Sequence, residues 1–332
     1  MPVISPLSET PPPIELENAW VPTSFRLEFF FGEYLLKRLD LGAVEPDCFF
    51  LDLPEDPEAL VRKAPSRTPV VVPSLPAHLP MSRLAFSGGR IRYLVYRFPR
   101  YLVRFHETFD GYMGSLSSKT RYAVRKAIRK VAEDSDGAFE MREYHTPEDV
   151  RPFLRSAAAV SALTYQTKLL KAGLSDDELT RSSLISRAQA GEFWSFVLWV
   201  RDQPISYMLG TTRGRIYRQD HGGYDPAFHH LDPGRALHGM ALEHLHDSGK
   251  IDMLDFTPGG GAHKEKLSTE AVDCVDLVYF PLGPKAVLLV GSHLLLQGLS
   301  RMIVRSMETL GLKTRIKQLL RGRQRGRKSA AT

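Results

Sequence analysis

The rhythm of apolar and polar positions changes along this 332-residue chain. From Ala19 to about Phe109 short β-type runs alternate with proline-rich turns. Cys48–Leu53 and Val70–Val72 predict strands, and Arg90-Ile91-Arg92-Tyr93 alternates as a half-buried strand does before Leu94-Val95-Tyr96 prolongs it. Gly88-Gly89 predicts the turn in front of it. Between Phe25 and Leu39 the spacing of Leu27, Phe30, Phe31, Tyr34 and Leu35 predicts a helix. The second half is more regular. Ser117–Val131 predicts a helix capped by Ser117 or Ser118, with Tyr122, Val124 and Ile128 on its buried side. Thr146 and Pro147 predict the cap and first residue of another. Strands follow at Phe193–Val200, Ile205–Thr211 and Ile216–His221, joined by turns at Asp202-Gln203 and Arg213-Gly214. Pro233-Gly234 leads into a helix over Arg235–His246, ended by Gly249. Strands at Ile251–Phe256 and Val275–Phe280 flank the glycine run at 259–261. The order predicts an antiparallel meander, then a helical crossover to a parallel strand. The fold class is therefore α/β (α+β): a mixed, mostly antiparallel sheet flanked by helices.

Beyond Pro284 the pattern changes again. Ala286–Leu299 is apolar but broken by Gly291, Ser292, His293, Gln297 and Gly298. The run is about 14 residues, short of the roughly 20 that span a bilayer. An amphipathic basic segment follows to Leu320. It begins a run of cations (Lys313, Arg315, Lys317, Arg321, Arg323, Arg325, Arg327 and Lys328) with no acid among them. These eight exceed the net charge of +6, so the rest of the chain is slightly acidic and is not a basic nucleic-acid-binding globule. The tail fits peripheral contact with an anionic membrane, and equally fits packing on the body with a disordered charged end.

Composition excludes other classes. Hydrophobic content of 43% and charged content of 25% are those of a globular protein with a sizeable core. The two cysteines, Cys48 and Cys274, sit in apolar runs and read as buried thiols in strands. The Pro-, Ser- and Glu-rich N-terminus lacks the basic and apolar regions of a secretory signal. Together these place the chain, as an expectation, in the reducing cytoplasm. His244 and His246 lie two apart on a helix and so face different sides, which disfavours a metal reading. The glycine run lacks P-loop spacing, and no Gly-x-Ser-x-Gly elbow occurs.

Three pieces carry candidate chemistry. The first is the basic helix Leu116-Ser117-Ser118-Lys119-Thr120-Arg121, continuing through Arg125-Lys126 and Arg129-Lys130. The second is Gly223-Tyr224-Asp225-Pro226, then Leu231-Asp232-Pro233-Gly234. The third is Asp255-Phe256, a glycine turn, and His263-Lys264. In that order the sequence resembles the GNAT-like acetyltransferase family of bacterial cellulose and exopolysaccharide biosynthesis, related to the Fem-type peptidyltransferases. The resemblance covers about Asp110–Leu267. Thr257 stands where that family usually has glycine and His263 where it usually has tyrosine. Either departure bears on acceptor choice or on catalysis.

The resemblance implies an N-acyltransferase using acyl-coenzyme A, in particular acetyl-coenzyme A, with no metal. On that reading Pro233, Gly234 and Arg235 receive the donor's pyrophosphate, because a helix N-terminus offers unpaired N–H groups and partial positive charge. His221 serves as base, Tyr224 as proton donor to the thiolate, Asp255 orients the amine or a base, and Lys264 holds an anionic group. Lys119, Arg121 and Asp220 become substrate contacts. Each position also has a plain structural reading: a satisfied sheet-edge histidine for His221, an Asx turn at Asp225, a loop cap at Asp255, solvated faces for the lysines and arginines. The amine acceptor is a small molecule linked to envelope polysaccharide on the resemblance alone. A Fem-type aminoacyl-tRNA donor and a non-catalytic binding module at the inner face of the membrane stand as alternatives. The implied organisation is a flexible leader at 1–17, an N-terminal lobe at 18–109 that is either a second GNAT-like lobe or an extension, an acyltransferase domain at 110–283, and an apolar and basic helical tail at 284–332.

Overall fold

The computed structural model describes residues 20–31, 34–77, 80–164, 173–259 and 261–309. The leader, Gly260 and the basic run from Lys313 lie outside these residues. In chain order the elements are β1 (Trp20–Phe31), β2 (Tyr34–Pro46), α1 (Pro57–Val61), β3 (Val70–Pro76), β4 (Leu84–Ser87), β5 (Arg90–Arg104), α2 (Phe109–Ser115), α3 (Ser118–Asp134) and β6 (Phe139–Tyr144). There follow α4 (Val150–Leu163), α5 (Glu178–Gln189), β7 (Ser195–Val200), β8 (Gln203–Arg213), β9 (Ile216–Tyr224), α6 (Pro233–Asp247), β10 (Met253–Asp255), α7 (Ala262–Leu267), β11 (Glu270–Pro281) and α8 (Pro284–Thr309). The fold is the predicted class, mixed α/β with mostly antiparallel strands flanked by helices. The chain divides into two compact units. One holds residues up to Arg97 and from Val275 on, the other Phe98–Cys274.

In the first unit the strand order is β1-β2-β3-β11-β5, with β4 pairing β5. The helix predicted over Phe25–Leu39 is instead the β1–β2 hairpin. Its apolar residues satisfy both a period of 3.6 and a period of 2, and the second prevails because Phe25 and Leu27 bury on one face while Arg26 and Glu28 sit opposite Asp40 and Arg38. Those pairs close at 2.8 Å each. Cys48–Leu53 is likewise no strand: Phe50–Asp52 forms a 3₁₀ turn, and Cys48 is half-buried beside it. Cys274 is buried in β11, as expected of a thiol in a strand, and neither cysteine is in a disulfide. Gly88 and Gly89 turn β4 into β5 with φ of 54° and 73°, a conformation that favours glycine. The segment read as a tail begins as α8, whose inner side packs with Phe25, Ile91 and Tyr93.

In the second unit the order is β5-β10-β9-β8-β7-β6. The meander β6–β9 is antiparallel and β9 pairs β10 in parallel, so the predicted crossover is present. Helices α3 and α6 cover one face, where Val124, Ala127 and Val131 join Leu237, Ala241 and Leu245 in one core. Helices α4 and α5 cover the other, packing Phe153, Ala157 and Leu184 against Val197 and Tyr207. Ser117 caps α3 by accepting from the Thr120 N–H at 3.2 Å. Tyr122, expected on the buried side of α3, is exposed, and Thr120 takes that side instead. Gly239 lets α3 and α6 approach, since a Cβ there would lie 2.6 Å from Val124 Cγ1. Helix α4 begins at Val150 rather than Pro147: Thr146 and Asp149 first close a turn on each other's N–H groups.

Candidate active site

The site grows from the parallel pair. β9 and β10 are joined at only three positions, Ile216 with Met253, Tyr217 with Leu254, and Arg218 with Asp255. β10 then stops, while β9 runs on to Tyr224. The pair therefore opens beyond Arg218, leaving backbone on each side of a gap. A ligand that reaches between strands enters at such a place.

A bulge in β9 decides what faces that opening. Leu209 pairs with His221 but Gly210 pairs with Gln219, so Asp220 is the extra residue. In a regular strand Gln219 and His221 would share a face. Here Gln219 turns toward α6, where its side-chain oxygen lies 3.0 Å from His238 Nε2. His221 turns toward α4, where its Nδ1 meets the Tyr207 hydroxyl at 2.7 Å with the rings parallel within 9°. Burial holds Tyr207 protonated, its pKa pushed up to about 12, and the Ser161 hydroxyl bonds to it as well. Asp220, read as a substrate contact and as the strand's end beside His221, does not end the strand, which runs on to Tyr224. Its carboxylate accepts from Thr211 at 2.5 Å and pairs with Arg218 at 3.1 Å.

Helix α6 starts after the loop that follows β9. Its N-cap Asp232, at φ 57°, does not accept from the first turn, and its carboxylate pairs with Arg235 instead. The first turn of a fifteen-residue helix is thus left without a side-chain cap, with Arg235 beside it. Tyr224 adjoins this turn: a Cβ on Gly234 would sit 3.4 Å from its Cδ1, an ordinary contact, and the tyrosine is 40% exposed. His238 packs one turn further, its Nδ1 2.6 Å from the Gly234 carbonyl. Burial lowers the His238 pKa, so the ring is neutral.

The loop after β10 closes the other side. Thr257 occupies a left-handed conformation at φ 59°, which is why glycine suits this position. Its hydroxyl donates to the Gln219 carbonyl at 2.9 Å, tying the loop to β9 where the strands have parted. The His263 ring lies 5.2 Å from that of His238 and 6.2 Å from Phe256.

Two residues read from the sequence as catalytic do other work. Asp255 is fully buried, and Arg100 holds both its oxygens, at 2.9 and 2.5 Å. One oxygen also accepts from the Thr257 N–H at 2.8 Å, so Asp255 is the loop cap rather than a group aimed at an amine. The Lys264 ammonium is spent on loop carbonyls, at 2.7 Å to Phe256 and 3.2 Å to Thr257, rather than held open for an anion. On α3, Arg121 caps the end of α2 through the Gly114 carbonyl at 3.0 Å, whereas Lys119 is exposed. Of the sequence-derived residues, His221 and Tyr224 stand on β9 beyond its last pair with β10, and Pro233, Gly234 and Arg235 in the first turn of α6. Gln219, His238, Tyr207 and Arg100 escape the sequence reading. For His238 a faint signal exists in its place four residues after Gly234, one helical turn on.

Residues 118–265 match the family model for an acetyltransferase (GNAT) domain. The match spans the basic helix, the bulged strand, α6 and the loop after β10. No curated protein matches the chain by sequence. Among solved structures, the chain is similar to FemX at 9% identity and TM-score 0.48, covering 82% of this chain and 90% of that one. It is similar to the C-terminal domain of a putative lysylphosphatidylglycerol synthetase from Agrobacterium fabrum at 11% identity and TM-score 0.44, covering 67% and 70%. It is also similar to L-PGS from Bacillus licheniformis at 13% identity and TM-score 0.42, covering 76% and 82%. The matched residues lie wholly within the second unit.

Proposed function

We propose that the GNAT-type domain transfers an acyl group from acyl-coenzyme A to an amine. The observation that supports this most is the parting of β9 and β10 directly before an uncapped helix N-terminus. A thioester donor needs a slot for its extended arm and donors for its pyrophosphate, and these features supply both kinds of surface. Bound there, acyl-coenzyme A supplies an activated carbonyl. The chain's own residues orient it and move protons. Gly234 and Arg235 hold the pyrophosphate, and strand backbone beyond Arg218 holds the arm. The His221 imidazole, held against Tyr207, takes the proton that the amine loses as its C–N bond forms. Tyr224, beside α6, gives a proton to the sulfur as the C–S bond breaks. The two groups lie on opposite faces of β9, so acceptor and donor enter from the α4 and α6 sides. The acceptor in this reading is a sugar amine or similar small amine of envelope polysaccharide.

Calorimetric titration with coenzyme A and acetyl-coenzyme A, repeated on Gly234→Asp, tests the donor. The new side chain has room, so the variant folds and places a negative charge at the anion site. Micromolar binding to the wild type that is lost in Gly234→Asp is the expected result. Absence of binding to the wild type would overturn the reading. Exposed Lys119, Arg125 and Lys126 on α3 favour a second donor, aminoacyl-tRNA, whose binding would weaken steeply with salt.

A further inference from the structure

Helix α8 carries two unlike faces. Its inner face is committed to the first unit. Ala286, Leu289 and Val290 pack on the sheet, and His293 is 2% exposed. The Tyr93 hydroxyl bonds His293 Nδ1 at 2.7 Å, and His293 Nε2 bonds the Glu28 carbonyl at 3.0 Å. On the opposite side Leu288, Leu295 and Leu299 recur at i, i+7 and i+11, a single stripe along a helix. They are 73%, 75% and 43% exposed. His293 also stacks edge-on against Phe29, near the end of β1, so the hairpin end lies beside the helix, and Tyr34 and Leu36 there are exposed too. Isolated exposed leucines are ordinary, but a stripe with a neighbouring apolar hairpin end is a patch that marks a contact.

The occupant is set by charge. The chain that continues from α8 carries eight cations between Lys313 and Lys328 and no acid. An apolar helix face followed by such a run suits an anionic bilayer surface, where leucines enter the acyl boundary and cations meet phosphate headgroups. Pro284–Ile303, 20 residues, is also long and apolar enough to span, with a mean hydropathy of 1.4 over its most apolar window, so the length estimated from sequence falls short. Spanning would strip His293 from Tyr93 and the Glu28 carbonyl and Gln297 from Arg83, and leave polar groups in hydrocarbon. We infer that α8 lies in the plane of an anionic membrane, outer face down, and docks the protein there peripherally.

Vesicle flotation of the full chain tests this. The probes are vesicles of phosphatidylcholine alone, and of phosphatidylcholine with about a quarter phosphatidylglycerol. The wild type should float with the anionic vesicles and come off in high salt. Leu295→Glu/Leu299→Glu changes only exposed positions and should keep the wild-type circular dichroism and melting curve. Its partitioning should fall about tenfold or more. A wild type that stays at the bottom with anionic vesicles would overturn the proposal, as would a double variant that floats equally well. Resistance to salt and alkali, with release only by detergent, would mean that the helix spans. A wild-type dimer that the double variant abolishes, without flotation, would assign the face to a second copy of the chain.

Discussion

Replacing Asp255 separates a structural carboxylate from a catalytic one. Asp255 is 0% and Arg100 7% exposed at the side chain, and the two share a two-point ion pair. Asp255→Ala removes both charge-assisted bonds and the acceptor of the Thr257 N–H, and leaves a buried guanidinium without its carboxylate. Breaking a buried pair from one side costs about 3–5 kcal/mol, a large share of the roughly 5–15 kcal/mol that holds a domain. For a unit of this size the melting temperature should fall by roughly 10 °C. Arg100→Met should cost a similar amount. The double replacement Arg100→Met/Asp255→Leu should cost clearly less than the sum, because an apolar pair needs no charge compensation. Urea unfolding followed by circular dichroism, with turnover measured below the transition, reads both effects. An Asp255→Asn variant of wild-type stability but no turnover would refute the structural role. So would strict additivity of the two single changes.

Further outcomes follow from the loop after β10. Thr257→Gly relieves a left-handed β-branched residue but loses the bond to the Gln219 carbonyl, so stability should change by less than about 1 kcal/mol. Thr257→Val keeps the strain and loses the bond, and should cost about 1–2 kcal/mol by denaturant titration. The His263 pKa is depressed to about 4, first by burial and then by the nearby His238, Lys264 and Arg235. The unfolded chain binds this proton near pH 6.5 and the folded chain only near pH 4, so the stability present above pH 6.5 falls as pH drops through that window. More than a third of His263 still meets solvent, which limits the effect to about 1 kcal/mol. His263→Phe should flatten that part of the pH–stability curve, and an unchanged slope would contradict the assignment.

Much of the second unit is legible in the sequence because its signals are local. Two-residue turns, a serine cap before a helix and Gly249 after one act within a few positions, so β7–β9, α3 and α6 are readable without the fold. The β1–β2 hairpin is not, because its aromatic-rich run fits two periods and only the ladder to Arg38 and Asp40 chooses between them. The site divides the same way. Residue types at His221, Tyr224 and Gly234 are visible as candidates from the chain alone. Which of them face the opening is not. The bulge at Asp220 throws Gln219 and His221 to opposite faces, and a bulge is set by pairing with β8 rather than by β9 itself. Asp255 reads as a free acid until Arg100, 155 residues away in sequence, is folded onto it. Local sequence determines where the elements start and stop; partner distance, pairing register and burial are long-range properties, and they alone decide which polar groups are spent on structure and which remain for chemistry.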